Sequence, residues 1–139
     1  MIVVDTSVAY ALIDARDAGH EAARSWYDRP HRDLLTTPLV LAEVDHLAAA
    51  RLGAAARSAF LEDIDRGGYT IAWWSSAVAE SVRIAQRFGD LGVSLTDASL
   101  VALAARLETT SIATFDERHF RAVQPLTGEP AFTLLPVDG

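Results

Sequence analysis

Apolar residues in this chain fall into short runs and helical stripes that alternate with one another. Met1–Val4 is an unbroken apolar run, the pattern of a strand buried on both faces. Asp5 cuts it, and Thr6 and Ser7 can cap a helix that runs to about Ile13. Residues 20–28 (HEAARSWYD) place Ala23, Trp26 and Tyr27 on one helical face, and Pro30 interrupts. Leu34–Thr36 reads as a short strand. Thr37-Pro38 is a helix start, with a capping threonine and proline at the first helical position, and that helix runs to Gly53. A further helix over 54–65 stops at Gly67-Gly68. Tyr69–Trp74 (YTIAWW) is rich in strand formers. Ser76, with Glu80 close to a capping-box position, opens a helix that ends near Phe88-Gly89. The loop GDLGVSL leads to a helix from about Thr96, and strands follow at Ser111–Phe115 and Phe132–Leu135. Strands alternating with helices predict an α/β fold, a parallel sheet covered by helices on its faces. In such sheets ligands sit beyond the carboxyl ends of the strands.

Two acids fall at such ends: Asp5 after the first strand and Asp116 after the strand at 111–115. Two more interrupt apolar stripes. Val40, Glu43, Val44 and Leu47 follow the i, i+3, i+4, i+7 rule, and Asp97 lines up with Leu100, Val101 and Ala104. A carboxylate on a core-facing stripe is costly unless paired or metal-bound. Each acid also has a purely structural reading: Asp5 as a helix cap, Asp97 in a first turn, Glu43 at the edge of its stripe, Asp116 in a turn. Four together point instead to a shared site. Crowded carboxylates repel, a divalent cation relieves the conflict, and oxygen ligands suit Mg²⁺ or Mn²⁺. Such a site does phosphoryl-transfer chemistry with metal-activated water.

Composition narrows the classes. At 139 residues with 50% apolar content, one domain with a real core is expected. The absence of cysteine excludes a disulfide framework and thiolate metal sites, and fits the cytoplasm. No apolar run approaches the roughly 18 residues of a membrane helix, so no membrane association is expected. The net charge is −7 and every basic residue among the 12 is arginine. This counts against a nonspecific DNA-binding module, and less against a nuclease whose acids are neutralised by metal. No histidine pair has zinc-ligand helical spacing, and there is no GxSxG elbow or P-loop.

The motifs VVDTS, VLAEVDHL, SLTDASLVALA and ATFDERHF, in that order over essentially the whole chain, resemble those of PIN-domain ribonucleases, and most of all VapC toxins of toxin–antitoxin pairs. The resemblance implies one PIN domain over residues 1–139: a Rossmann-like three-layer α/β/α sandwich with a central, mainly parallel sheet. It implies a Mg²⁺-dependent endoribonuclease leaving 5′-phosphate and 3′-hydroxyl ends, with Mn²⁺ as a substitute, and a VapB-like antitoxin as partner. The family's catalytic and metal-binding quartet falls on Asp5, Glu43, Asp97 and Asp116. A homodimer is expected. Thr6, Ser7 and Thr114 are candidates to orient carboxylates or waters through their hydroxyls, as capping and packing are the alternatives. Asp90 is a candidate to support the metal ligands or to hold a second metal, with a loop-surface acid as the alternative. Arg118, His119 and Arg121 are candidate RNA-phosphate contacts. Asp45 reads as surface or a subunit contact, and Trp73 and Trp74, facing opposite ways on a strand, as one core residue and one interface residue. Two readings compete with the ribonuclease: a nuclease or phosphatase for another phosphate ester, and a noncatalytic acidic module that holds a basic partner.

Overall fold

The computed structural model describes residues 1–30 and 33–139. Five strands, β1 (Ile2–Val4), β2 (Leu34–Thr36), β3 (Thr70–Ile71), β4 (Ser111–Ala113) and β5 (Thr133–Leu135), form one sheet in the order β3-β2-β1-β4-β5, and every pairing is parallel. The helices are α1 (Thr6–Ile13), α2 (His20–Tyr27), α3 (Pro38–Arg51), α4 (Ala54–Asp65), α5 (Ala77–Arg87), α6 (Leu95–Leu107) and α7 (Glu117–Ala122), with a 3-10 turn at Gly89–Leu91. With this strand order, the right-handed rule for parallel crossovers assigns α1–α4 to one face and α5–α7 to the other, consistent with the packing of α1 on α2 and α3, of α3 on α4, and of α5 on α6. The result is the three-layer sandwich that the alternating pattern predicts.

The short inner strands β1, β2 and β4 hold because they are largely buried. Val3, Val4, Ile112 and Leu134 are fully buried, and Leu100, Leu103 and Val101 of α6 pack in the same core. The direction in which successive strands are added reverses between β1 and β4, although the strands themselves run parallel. The crossover from β1 runs one way along the sheet and that from β4 the other, which opens a crevice at their carboxyl ends. Two buried contacts tighten this end. Asp5 N–H donates to Ala113 O (2.9 Å), extending the β1–β4 ladder. The Ser99 hydroxyl donates to Thr96 O (2.6 Å), so the Thr37 hydroxyl donates to Ser99 Oγ (2.9 Å), tying the start of α3 to the first turn of α6.

Several local expectations change. Asp5, not Thr6 or Ser7, is the N-cap of α1, and neither Asp5 nor Thr37 makes a side-chain cap bond. Helix α6 begins at Leu95: Ser94 is its cap, in a full capping box with Asp97. At the start of α5 the Ser76 hydroxyl donates to Glu80 (3.2 Å) rather than capping the helix. The strand expected over 69–74 is only Thr70–Ile71, on the sheet edge. Trp73 and Trp74 lie beyond it. Trp73 is 40% exposed, and Trp74 packs on the core with its indole N–H donated to Glu80. Asp45 pairs with Arg57 on α4 (2.5 Å).

Candidate metal centre

A cleft of about 670 Å³ opens at the switch point and is lined by the quartet Asp5, Glu43, Asp97 and Asp116, and by a fifth acid, Asp17, whose carboxylate accepts the Gly19 N–H. The four acids of the quartet come from four different elements. Asp5 follows β1, Glu43 projects from α3, Asp97 sits in the first turn of α6, and Asp116 caps α7 after β4.

Asp5 is the most constrained. It is 4% exposed, and its Oδ2 accepts hydroxyl protons from Thr114 (2.7 Å) and Ser7 (2.8 Å). Each hydroxyl is aimed by a backbone donor: Asp116 N–H donates to Thr114 Oγ1 (2.9 Å) and Phe115 N–H to Ser7 Oγ (2.9 Å). With both protons directed at Asp5, the 3.2 Å approach of Ser7 Oγ to Thr114 Oγ1 is a packing contact. Burial pushes the Asp5 carboxyl up to about 6, against the lowering by the Thr114 and Ser7 hydroxyls, and the nearby Asp97 charge adds to the rise. Thr6 Oγ1 is buried without a hydrogen-bond partner among the described residues. The Thr6 hydroxyl therefore orients no carboxylate, and only the Thr6 backbone N–H bears on Asp5.

Asp97 and Asp116 form the second part of the cluster, with His119. Asp116 Oδ1 accepts the His119 backbone N–H (3.1 Å), which caps α7, and Asp116 Oδ2 lies 2.8 Å from His119 Nδ1. The same nitrogen is 3.6 Å from Asp97 Oδ2. One ligand atom from each of the three lies within 4.8 Å of the others, a spacing that admits a cation. Burial raises the Asp97 carboxyl, and the Asp116 charge raises it further. Two carboxyls raised in one cleft are what a divalent ion relieves, and the oxygen-rich donor set suits a hard cation.

Glu43 differs. Its α3 stripe buries Val40, Val44 and Ala48, but Glu43 itself is exposed on the cleft wall. The sequence argument for a costly buried carboxylate thus fails for Glu43. It makes no hydrogen bond among the described residues and faces the other acids across the cleft.

The remaining candidates scatter. Asp90 is exposed in a neighbouring depression with Arg118 and His119, outside the acid cleft. Arg118 is exposed, while Arg121 is engaged by Asp138 (2.6 and 2.9 Å) and Glu117 (3.2 Å). His119 is inside the acid cluster rather than on an outer loop, because residues 117–122 form α7, anchored by buried Phe120. Sequence reasoning missed this helix, although Asp116 followed by Glu117 is a helix-start signal. It also missed Arg51 and Tyr10. Arg51 is the one cation lining the acid cleft among the described residues, its guanidinium 5.5 Å from the Tyr10 ring centre. The Tyr10 hydroxyl donates to Asp14 (2.6 Å).

Comparison with known proteins places this architecture. The PIN-domain family profile matches residues 2–124. The chain belongs to the PIN-domain family. Over 136 residues, 97% of this chain and the whole of the relative, it is 35% identical to Ribonuclease VapC26 of Mycobacterium tuberculosis. The solved structure of Mycobacterium tuberculosis VapC20, described as a Sarcin-Ricin loop cleaving toxin, superposes with a TM-score of 0.78 at 24% identity, covering 84% of this chain and 90% of that one. FitAcB from Neisseria gonorrhoeae gives 0.63 at 20% identity over 86% and 91%. Those two likenesses establish the PIN fold. The VapC26 relationship adds a full-length sequence relative. The acid cleft of this PIN domain lies within the family match, at the switch point of its sheet.

Proposed function

We propose that this PIN domain is a VapC-type endoribonuclease toxin whose acid cleft holds Mg²⁺, with Mn²⁺ as a working substitute. The observation that carries the reading is four carboxylates from four elements lining one cleft, two of them with raised affinity for protons. The full-length relationship to a ribonuclease supports RNA as the substrate. When bound, a divalent cation supplies a water of lowered pKa and positive charge for the leaving oxygen. The chain's own residues do the rest. Asp5, Asp97 and Asp116 are the ligands. Ser7 and Thr114 fix the Asp5 carboxylate in one orientation, and His119 fixes that of Asp116. Glu43, free of hydrogen bonds among the described residues, is placed to hold a water or take its proton. Hydrolysis leaves a 5′-phosphate and a 3′-hydroxyl.

The same reading supplies a partner and a compartment. Among the described residues no helix is long and apolar enough to cross a membrane. A cytoplasmic toxin encoded beside a small VapB-like antitoxin, and acting as a homodimer, fits the family relationship. An acidic cleft attracts a basic side chain from such an inhibitor. Cleavage of RNA by the purified chain should be abolished by EDTA and restored by Mg²⁺ or Mn²⁺. Full activity in EDTA would overturn the metal reading, and no cleavage of any RNA with metal present would leave a noncatalytic acidic module in its place.

A further inference from the structure

The acid cleft poses a problem for a polyanionic substrate. The chain carries a net charge of −7, and Arg51 alone offers a positive charge in the cleft lining among the described residues. Phosphates flanking the scissile bond need compensation elsewhere. The arginines show where. Arg24, Arg57, Arg66 and Arg121 are each committed to a carboxylate. Arg83, Arg87 and Arg106 are exposed and make no ion pair among the described residues, yet they converge on one groove of about 560 Å³ between α5 and α6.

This groove has the construction of a phosphate site. Arg83 and Arg87 are one helical turn apart on α5, so their side chains share a face. Arg106 comes from α6 and is held over the Trp74 ring, 5.1 Å from its centre, an arrangement that orients the guanidinium and leaves its edge donors available. Arg87 sits similarly over Phe88 at 5.3 Å. Glu80 is the one acid in the lining, and it accepts from the Trp74 indole and the Ser76 hydroxyl. Three guanidinium groups against one carboxylate leave the groove strongly positive on an acidic protein. Arg106 is nine residues beyond Asp97 on the same helix, roughly 14 Å along its axis at 1.5 Å per residue. That is within reach of the nucleotides flanking a strand cut in the cleft.

We propose that the α5–α6 groove is a binding site for the phosphate backbone of single-stranded RNA, with Arg83, Arg87 and Arg106 as its donors. The proposal rests on the ribonuclease reading. Its job is affinity at a distance from the chemistry: phosphate contacts position a strand without reading its sequence. Each phosphate neutralised contributes about 0.7 to the slope of log affinity against log salt for single strands.

The test combines two independent measurements on the full chain. Binding of a fluorescent single-stranded RNA is followed by anisotropy in EDTA, where no cleavage is expected, across salt concentrations. Cleavage of a long RNA and of a short oligonucleotide is followed in Mn²⁺. For R83Q/R87Q/R106Q the salt slope should fall by about 2 and affinity at low salt should drop at least tenfold. Cleavage of the long RNA should then lose in KM with kcat retained, while the short substrate is cut as by wild type. Should that variant melt early, R83K/R87K/R106K, which keeps the charge, and the single R83Q, away from the Trp74 stack, carry the test. The lysine variant should keep the slope, and R83Q should lower it by about 0.7. An unchanged slope and affinity in a folded glutamine variant, with wild type cleaving normally, would overturn the groove and leave the ribonuclease standing. Loss of a copurifying acidic protein with RNA affinity intact would also overturn it, assigning the groove to that protein. Loss of slope in the variant when wild type binds but never cleaves RNA would uphold the groove and sink the ribonuclease.

Discussion

The two walls of the acid cleft are built on opposite principles. On the sheet wall Asp5 is buried, receives two hydroxyl protons and is fixed by a ladder that reaches back through β1 and β4. On the helix wall Glu43 is exposed and unpaired among the described residues. The first wall pays in stability for a preorganised carboxylate, because burial opposes its charge. The second leaves its carboxylate free to move with water or substrate. Rigid ligands on one side and an adaptable acid on the other suit a site that must hold a cation and also handle an attacking water.

Breaking the sheet wall should have the largest effect. Asp5→Asn keeps the shape and still accepts the Ser7 and Thr114 hydroxyls, but removes the charge. Several kcal/mol of lost charge stabilisation, at about 1.4 kcal/mol per tenfold, predict a fall in RNA cleavage of about a thousandfold or more. Single-turnover cleavage of labelled RNA measures it, and near-wild-type turnover would remove Asp5 from the centre. Thr114→Val sharpens the comparison. It deletes a donor to Asp5 and leaves the Asp116 N–H without its acceptor, so metal affinity should weaken roughly 10–100-fold and the fold should lose about 1–3 kcal/mol. A Mn²⁺ titration and a urea melt read the two effects separately. Glu43→Gln, on the adaptable wall, should slow cleavage by about tenfold or more. Its metal-free stability should stay within about 0.5 kcal/mol of wild type, as for other exposed substitutions.

The most specific effect is on pH dependence without metal. Asp5 moves from 3.8 to about 6 on folding, so the native state holds its proton more tightly than the unfolded chain does. Stability from this group is full below pH 3.8 and is lost as pH rises through about 6, a change of roughly 3 kcal/mol. Asp97, also raised, acts in the same direction. Asp138, lowered to about 2 by Arg121, acts oppositely, with stability present above pH 3.8 and lost as pH falls toward 2, so the two regimes separate. Urea melts from pH 4 to 7 in EDTA should show stability declining in wild type and a shallower decline in Asp5→Asn. Parallel curves would mean that Asp5 carries its charge in the fold without cost.

Much of this was legible in the sequence, and the exceptions share a cause. Apolar runs such as Ile2–Val4 announce buried parallel strands, and acids at or just beyond the ends of two of them, Asp5 and Asp116, announce the crevice. Ser94 was harder to place, because the capping box with Asp97 fixes the start of α6 one residue before the apolar stripe suggests. Periodicity put Glu43 on a buried face, but α3 packs through Val40, Val44 and Ala48, an i, i+4, i+8 row that leaves Glu43 beside it and exposed. His119 and the three groove arginines were beyond local reading. His119 meets Asp97 only through tertiary packing, and Arg106 meets Arg83 and Arg87 only because α5 packs along α6.

The most direct test of the metal centre is a Mn²⁺ titration followed by thermal melting at pH 7.5, comparing wild type with Asp97→Asn. Asparagine preserves the α6 cap while removing one charge from the Asp97–Asp116–His119 cluster. An ion that binds only the folded chain stabilises it by mass action, so the wild-type melting temperature should climb with ion concentration and the variant's climb should be clearly smaller. Equal increments at every concentration would contradict the account, because they would place the ion somewhere other than the cleft at the carboxyl ends of β1 and β4.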